Sequence, residues 1–370
     1  MNTFRKFALP VICALLVASF CPSFSEAAAR GNLKIGILTT SGVDDGSFGQ
    51  DCYNGIVEFV KTNPDCTVTT VKEPDFDKVL QAVHDIIADY DVLVLPGFQF
   101  SPVGVIAPDN PNTIVLLVDT APTDEEGNTV VRENIYSMTF REEESGFFAG
   151  VAAALRTKSG KVAVVNGMAY PPNVNYQYGF MSGVNYANKH FGSKASYVEL
   201  PSYAGTDVTG TAVGGNYVGA FADEATGKVV GAALIAQGVD VLFVAAGASG
   251  NGTFTAAKEA DGVWLIGCDV DQYDDGAKGG GNIMLTSGLK IMGKNITKQL
   301  QAIKDGSFAG KNDVLGADTD STGYVSAPGR HNLSDSDLEA LSKVYGLLKK
   351  GEIVPAANFN GYKPTDFPGL

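Results

Sequence analysis

Histidine is almost missing from this chain of 370 residues, which has three, along with five cysteines and one tryptophan. His84 and His190 fall in predicted helices and His331 in a polar stretch, so none stands at a predicted strand end. Neither H-E-x-x-H nor C-x-x-C occurs. The sequence therefore argues against zinc chemistry and a histidine-based nucleophilic triad. Long apolar runs are missing too, since a membrane-spanning helix needs about 20 apolar residues. Basic side chains are in deficit, 27 against 41 acidic, for a formal charge of −14. That balance argues against nucleic acid or an anionic membrane surface as the main partner. What the chain does have is 45% hydrophobic side chains, with 20 phenylalanines and 14 tyrosines. Such a composition rules out disorder, and the length predicts two domains.

The first residues read as an address. Arg5 and Lys6 precede an uncharged run from Phe7 to Phe20, too short to anchor, and Ala27-Ala28-Ala29 supplies an A-x-A cleavage signal. Residues 1–29 are read as a secretory signal peptide, which makes the mature protein periplasmic. Lipid attachment at Cys21 is the rival reading, disfavoured because Phe20 stands where a small residue belongs. Cleavage removes Arg5, Lys6 and Glu26, a net +1, and takes the charge from −14 to −15. Three cysteines remain: Cys52, Cys66 and Cys268. The helix predicted between the first two rises roughly 15 Å over ten residues, whereas bridged Cα atoms lie about 4.4–6.8 Å apart. Buried free thiols are expected.

Beyond the leader, strands and helices alternate. Leu33–Thr39, Thr67–Val71, Val92–Leu95, Thr113–Val118, Lys161–Val165, Tyr197–Leu200, Asp240–Ala245, Val263–Ile266 and Ile283–Leu285 read as strands. Helices are predicted from about Ser47 to Asn63 and over Asp75–Asp89, Glu142–Arg156, Gln177–His190, Ala222–Gln237, Asn251–Glu259, Leu289–Lys304 and Asp335–Lys350, the last capped by Ser334. Strands apolar on both faces, alternating with helices, mean parallel sheets covered on both sides. Ligands of such sheets bind beyond the carboxyl ends of strands. The residues to inspect are those following Thr39, Leu95, Val118, Val165, Ala246, Ile266 and Leu285.

Chemistry is sparse at those ends. The turn Gly247–Gly252 lacks the Lys-Ser/Thr of a P-loop and fits neither G-x-G-x-x-G nor G-x-S-x-G, but its backbone N–H groups could hold a polar group. The acidic stretches at 269–276 and 318–323 imitate calcium loops. The first has its glycine two places late and the second has Gly329 where the closing Glu belongs, so both read as solvated turns. No catalytic residue, metal or cofactor is expected, and a binding role is favoured over an enzyme. Four residues offer recognition groups: Phe48, Phe243, Asp269 and Lys290. Two rings could sandwich a flat ligand, and Asp with Lys could bind hydroxyls. On its own, Phe243 reads as core more readily than as platform, and Asp269 equally as a turn residue.

Gly42–Phe48 (GVDDGSF), Phe140–Gly150 (FREEESGFFAG), Gly238–Gly247 (GVDVLFVAAG), Gly267–Gln272 (GCDVDQ), Thr286–Lys290 (TSGLK) and Gly351–Pro355 (GEIVP) occur in that order. Together they resemble the basic membrane protein family of ABC-transporter substrate-binding proteins, over nearly the whole mature chain. The resemblance implies an α/β type I periplasmic binding fold, two doubly wound parallel-sheet lobes with three crossovers near Phe140, Gly267 and Asp318. Lobe 1 would comprise 30–140 plus 268–318, and lobe 2 141–267 plus 319–370. It further implies a monomer that binds a nucleoside-like small molecule between the lobes and serves an ABC permease. Phe48 and Phe243 would stack the base, Asp269 and Lys290 would hold the sugar, and Gly247 would lie near. At the family's two base-reading positions, an Asp and an Asn, this chain has Thr39 and Gly49. The sugar end looks kept and the base end rewritten, leaving another nucleoside, riboflavin, a sugar-like ligand or a receptor-type role open.

Overall fold

The computed structural model describes residues 31–358 and 360–364; the leader, Cys21 included, lies outside them. Twelve strands form two six-stranded sheets, where the sequence shows nine. One sheet runs Lys311–Leu315, Ile135–Phe140, Ile114–Val118, Val92–Pro96, Lys34–Thr39, Thr67–Lys72, with every neighbouring pair parallel. The other runs Thr322–Tyr324, Met284–Lys290, Trp264–Asp269, Val241–Ala245, Lys161–Asn166, Ser196–Tyr197, and only its Thr322–Tyr324 edge is antiparallel. Each sheet has an apolar core on both faces. Three strands escape hydropathy for a local reason. Ile135–Phe140 is interrupted by Ser137 and Thr139, Lys311–Leu315 is a polar edge, and Thr322–Tyr324 is only three residues long.

The chain passes between sheets at Arg141, at Ile291 and between Leu315 and Thr322. The middle crossing corrects the one expected near Gly267. Trp264–Asp269 and Met284–Lys290 pair with each other in the second sheet, so 268–290 belongs to that lobe and only 292–315 returns to the first. Helix Met292–Lys304 then packs on helix Phe48–Thr62, where Thr297 Oγ1 donates to the Gly55 carbonyl at 2.7 Å. Lys290 is correspondingly the last residue of a strand, not the opening of a helix.

Helix Pro171–His190 begins six residues before its predicted start. Its first turn holds Pro171 and Pro172, and proline is at home there, where the N–H groups have no partner within the helix. This helix lies against Glu142–Arg156 so closely that a Cβ at Gly146 would stand 2.4 Å from the Tyr176 carbonyl oxygen. Two long helices are thereby locked together with Glu142 and Tyr176 at their cleft ends. The 205–219 segment carries a small antiparallel pair, Gly205–Thr206 with Ala212–Gly214. Tyr217 bridges to Asn166 at the sheet edge and the chain continues directly to Phe221. Cys52, Cys66 and Cys268 are buried free thiols.

Candidate functional site: the interlobe cleft

In both sheets the connections leave in opposite directions on either side of one strand pair, and ligands favour that point. The pairs are Lys34–Thr39 with Val92–Pro96, and Lys161–Asn166 with Val241–Ala245. Their carboxyl ends face each other across a cavity of about 710 Å³, open mouth included. The first lobe contributes Thr39, Phe48, Gly49, Phe98, Gln99 and Asp119, the second Tyr170, Asn173, Tyr176, Phe221, Gly247, Asp269 and Lys290.

At the floor one ammonium meets three carboxylates. Lys290, only 2% exposed, donates from Nζ to Asp119 Oδ2 at 2.6 Å. Asp269 Oδ1 and Glu142 Oε1 stand 3.7 and 3.8 Å from the same nitrogen. Burial pulls the lysine pKa down, but these carboxylates more than offset it and hold it above its ordinary value. Burial pushes the Glu142 carboxyl up to about 8, Lys290 opposing and Asp119 adding to the rise. Asp269 also accepts from Ser47 Oγ at 2.9 Å and from the Tyr176 hydroxyl at 2.8 Å. Asp119 and Asp269 both end strands in the left-handed region, at φ of +68° and +67°. Aspartate tolerates that conformation better than most residues, and such strain concentrates at binding sites. Each lobe thus turns one aspartate towards Lys290.

Aromatic rings make the walls. Phe48 opens its helix with its ring 4.8 Å from the Lys290 ammonium. Across the cleft Tyr170 packs against Phe221 at 6.1 Å, and at the mouth it meets Phe98 and Phe76 of the first lobe at 5.3 and 6.3 Å. Phe243, the expected second platform, is not at the cavity. It sits two residues before the strand end, about 7 Å below, fully buried, and stacks on Phe180 at 6.0 Å and 9°. The ring that lines the cavity beside Gly247 belongs to Phe221. A Cβ on Gly247, at φ +54°, would come 3.2 Å from the Phe221 carbonyl oxygen.

Thr39 and Gly49 do reach the cavity. The Thr39 hydroxyl is buried without a protein hydrogen-bond partner, as is Asp119 Oδ1. Gly49 is there for a steric reason: a Cβ would lie 2.1 Å from the Gly42 carbonyl oxygen. Its N–H donates to Asp45 Oδ2 at 2.9 Å, and Asp45 also accepts from the Ser47 and Gln50 amides, tying down the helix start. Sequence reasoning did not single out Asp119, Tyr170, Tyr176, Phe221, Gln99 or Asn173. The strand-end rule points at Asp119, which follows Val118; Tyr176 escapes because the predicted helix starts at Gln177, six residues after the true start and one past Tyr176. Elsewhere, Arg330 pairs with Asp271 and Asp274 at 2.7 and 2.9 Å, so the first calcium-like stretch carries ion pairs. No metal-holding group of side chains occurs among the described residues.

Two α/β lobes joined by three strands of chain, with a polar floor and aromatic walls between them, define a cleft-type solute-binding protein. The chain belongs to the Bmp family of PnrA-like ABC transporter substrate-binding proteins, whose model matches residues 32–202 and 210–353. It is 29% identical to a CD4+ T-cell-stimulating antigen of Listeria innocua, over 94% of this chain and 98% of that one. It is also 29% identical to the ABC transporter nucleoside-binding protein BmpA of Lactococcus lactis, over 81% of this chain and 84% of that one. An ABC transporter solute-binding protein of Aeropyrum pernix shares the fold, with a TM-score of 0.74 at 22% identity, covering 88% and 93% of the two chains. The family works outside the cytoplasm with a small-molecule ligand and a membrane permease as partners. No helix of the described residues is long and apolar enough to cross a membrane.

Proposed function

We propose that this protein captures a nucleoside, a flat ring carrying a polyol, in the interlobe cleft and delivers it to the permease of an ABC importer. The observation that carries this reading is the cluster of Lys290, Asp119 and Asp269 beside the Phe48 ring. Vicinal hydroxyls donate well to carboxylates and accept from an ammonium, and charge-assisted hydrogen bonds of this kind are the strong ones. A base resting on Phe48 with Phe221 opposite gains stacking, worth about 1–3 kcal/mol per base. Thr39, Gln99 and Asn173 supply neutral donors and acceptors for the ring edge. The Lactococcus relative, described as nucleoside-binding, supports the same class. Ligand bridging both lobes would bias the molecule towards its closed form, which the permease recognises. The periplasm is the proposed location and a monomer the proposed working unit.

The test is native mass spectrometry of freshly purified protein, followed by calorimetry with adenosine, cytidine, ribose and riboflavin. A nucleoside is expected to bind at about 1 μM or tighter, near −8 kcal/mol, with at least tenfold loss in D269A. Tighter binding of ribose or riboflavin than of either nucleoside would refute the reading.

A further inference from the structure

The motif Phe140–Gly150 contains three consecutive glutamates, and the proposed binding role uses none of them. Glu142 is the first residue of helix Glu142–Arg156, directly after the first crossing between lobes, and is 1% exposed. Its Oε2 accepts from Asn175 Nδ2 at 3.0 Å. Its Oε1 has no hydrogen-bond partner, although it points at Lys290 Nζ from 3.8 Å, beyond hydrogen-bond range. Glu142 is not among the residues lining the cavity. It therefore stands behind the ammonium, and Asp119 and Asp269 flank it.

We infer that Glu142 is a positioning residue for Lys290: neutral, it leaves the ammonium turned towards the ligand, and ionised, it draws the ammonium back out of the cavity. This rests on the nucleoside reading only for the choice of probe. The physical reason is charge balance. Three buried carboxylates around one ammonium cannot all ionise cheaply. Asp269 accepts hydrogen bonds from Ser47 and Tyr176, and Asp119 accepts one from the Lys290 ammonium at 2.6 Å. Glu142 has only neutral amide donors, Asn175 and its own backbone N–H, and no hydrogen bond from the ammonium, so its buried carboxyl is the one pushed up to about 8.

The other groups facing it are Lys290 from strand Met284–Lys290, Asp119, Tyr176 from helix Pro171–His190 and Glu143 beside it, with Asp269 and the Cys268 thiol reaching it only through Lys290 and Tyr176. Lys290 is held above its ordinary value, and burial pushes Tyr176 and Cys268 well above theirs. Burial also raises Glu143, so that residue is the control.

If binding requires the protonated carboxyl, affinity falls by a factor of one plus the ionised-to-protonated ratio. With a pKa of about 8 that is about tenfold between pH 7 and pH 9. Calorimetry with adenosine and cytidine measures it, since neither base titrates in that window. In wild type the Kd ratio between the two pH values is expected near ten; in E142Q it is expected near one, and in E143Q near ten. A flat wild-type profile overturns the inference without any variant, and so does a tenfold fall that survives in E142Q. If neither nucleoside binds at any pH, the nucleoside reading fails instead. The 15Nζ resonance of Lys290 in the ligand-free protein, assigned by its loss in K290M, then decides. A step between pH 7 and 9 that vanishes in E142Q supports the inference, and its absence in wild type overturns it.

Discussion

Replacing Lys290 by methionine tests the floor of the cleft most directly, because most of the apolar stem is kept while the charged, hydrogen-bonding end is lost. The ammonium is 2% exposed and holds Asp119 at 2.6 Å with Asp269 at 3.7 Å. Without it Asp119 loses its hydrogen bond on Oδ2, and Oδ1 already has none. Removing one partner of a buried pair leaves an uncompensated buried charge and costs about 3–5 kcal/mol. Asp269 escapes part of this, since Ser47 and Tyr176 still donate to it. The penalty should depend on pH in a defined sense. In wild type burial pushes the Asp119 pKa up and Lys290 pulls it back. In K290M that restraint is gone, so the folded state binds a proton that the unfolded state releases. The deficit is then largest at neutral pH and shrinks as the medium is acidified towards about pH 5. Urea unfolding followed by circular dichroism at pH 7 and pH 5 measures both effects. A loss under about 1 kcal/mol, or one indifferent to pH, would refute the claim that this cluster is desolvated and mutually dependent.

The two phenylalanines of the second lobe should separate cleanly. F221A is expected to weaken adenosine binding by about 1–3 kcal/mol, roughly 5- to 150-fold, with little loss of stability. F243A should instead lower stability by about 3–5 kcal/mol through a core cavity, and equal effects of the two on binding would count against the assignment. Gly49→Ala drives a Cβ to 2.1 Å from the Gly42 carbonyl oxygen. It should cost about 1–3 kcal/mol as the helix start is displaced, and an unaltered thermal midpoint would contradict the packing described.

Helix Glu142–Arg156 was readable to the residue, because three acidic residues open it and an apolar run follows. The Ser334 cap of the last helix was equally plain, and there the serine accepts from the Asp337 amide at 3.2 Å. Such features depend on residues within one turn of each other. Errors arose where the deciding contact was remote. Lys290 was placed in a helix because Leu289–Lys304 carries helical periodicity, yet its first two residues pair with Gly323 and Thr322 in the sheet. The middle crossing was misplaced for the same reason, since an apolar strand reads alike whichever sheet it joins.

Alternation of strands and helices, and the rule that parallel sheets bind at strand ends, determined the two-lobed architecture and brought Phe48, Gly247 and Asp269 into view, while the family resemblance alone pointed to Thr39 and Gly49. Tertiary structure alone decided which rings and charges meet. Val241–Ala245 is buried on both faces, so its hydropathy carries no sign of which way Phe243 points. Asp119 and Lys290 are 171 residues apart, and Ser47 and Asp269 are 222 apart. No local pattern marks partners at that range. They find each other because the two sheets bring their strand ends to one cleft, where those charges are buried together.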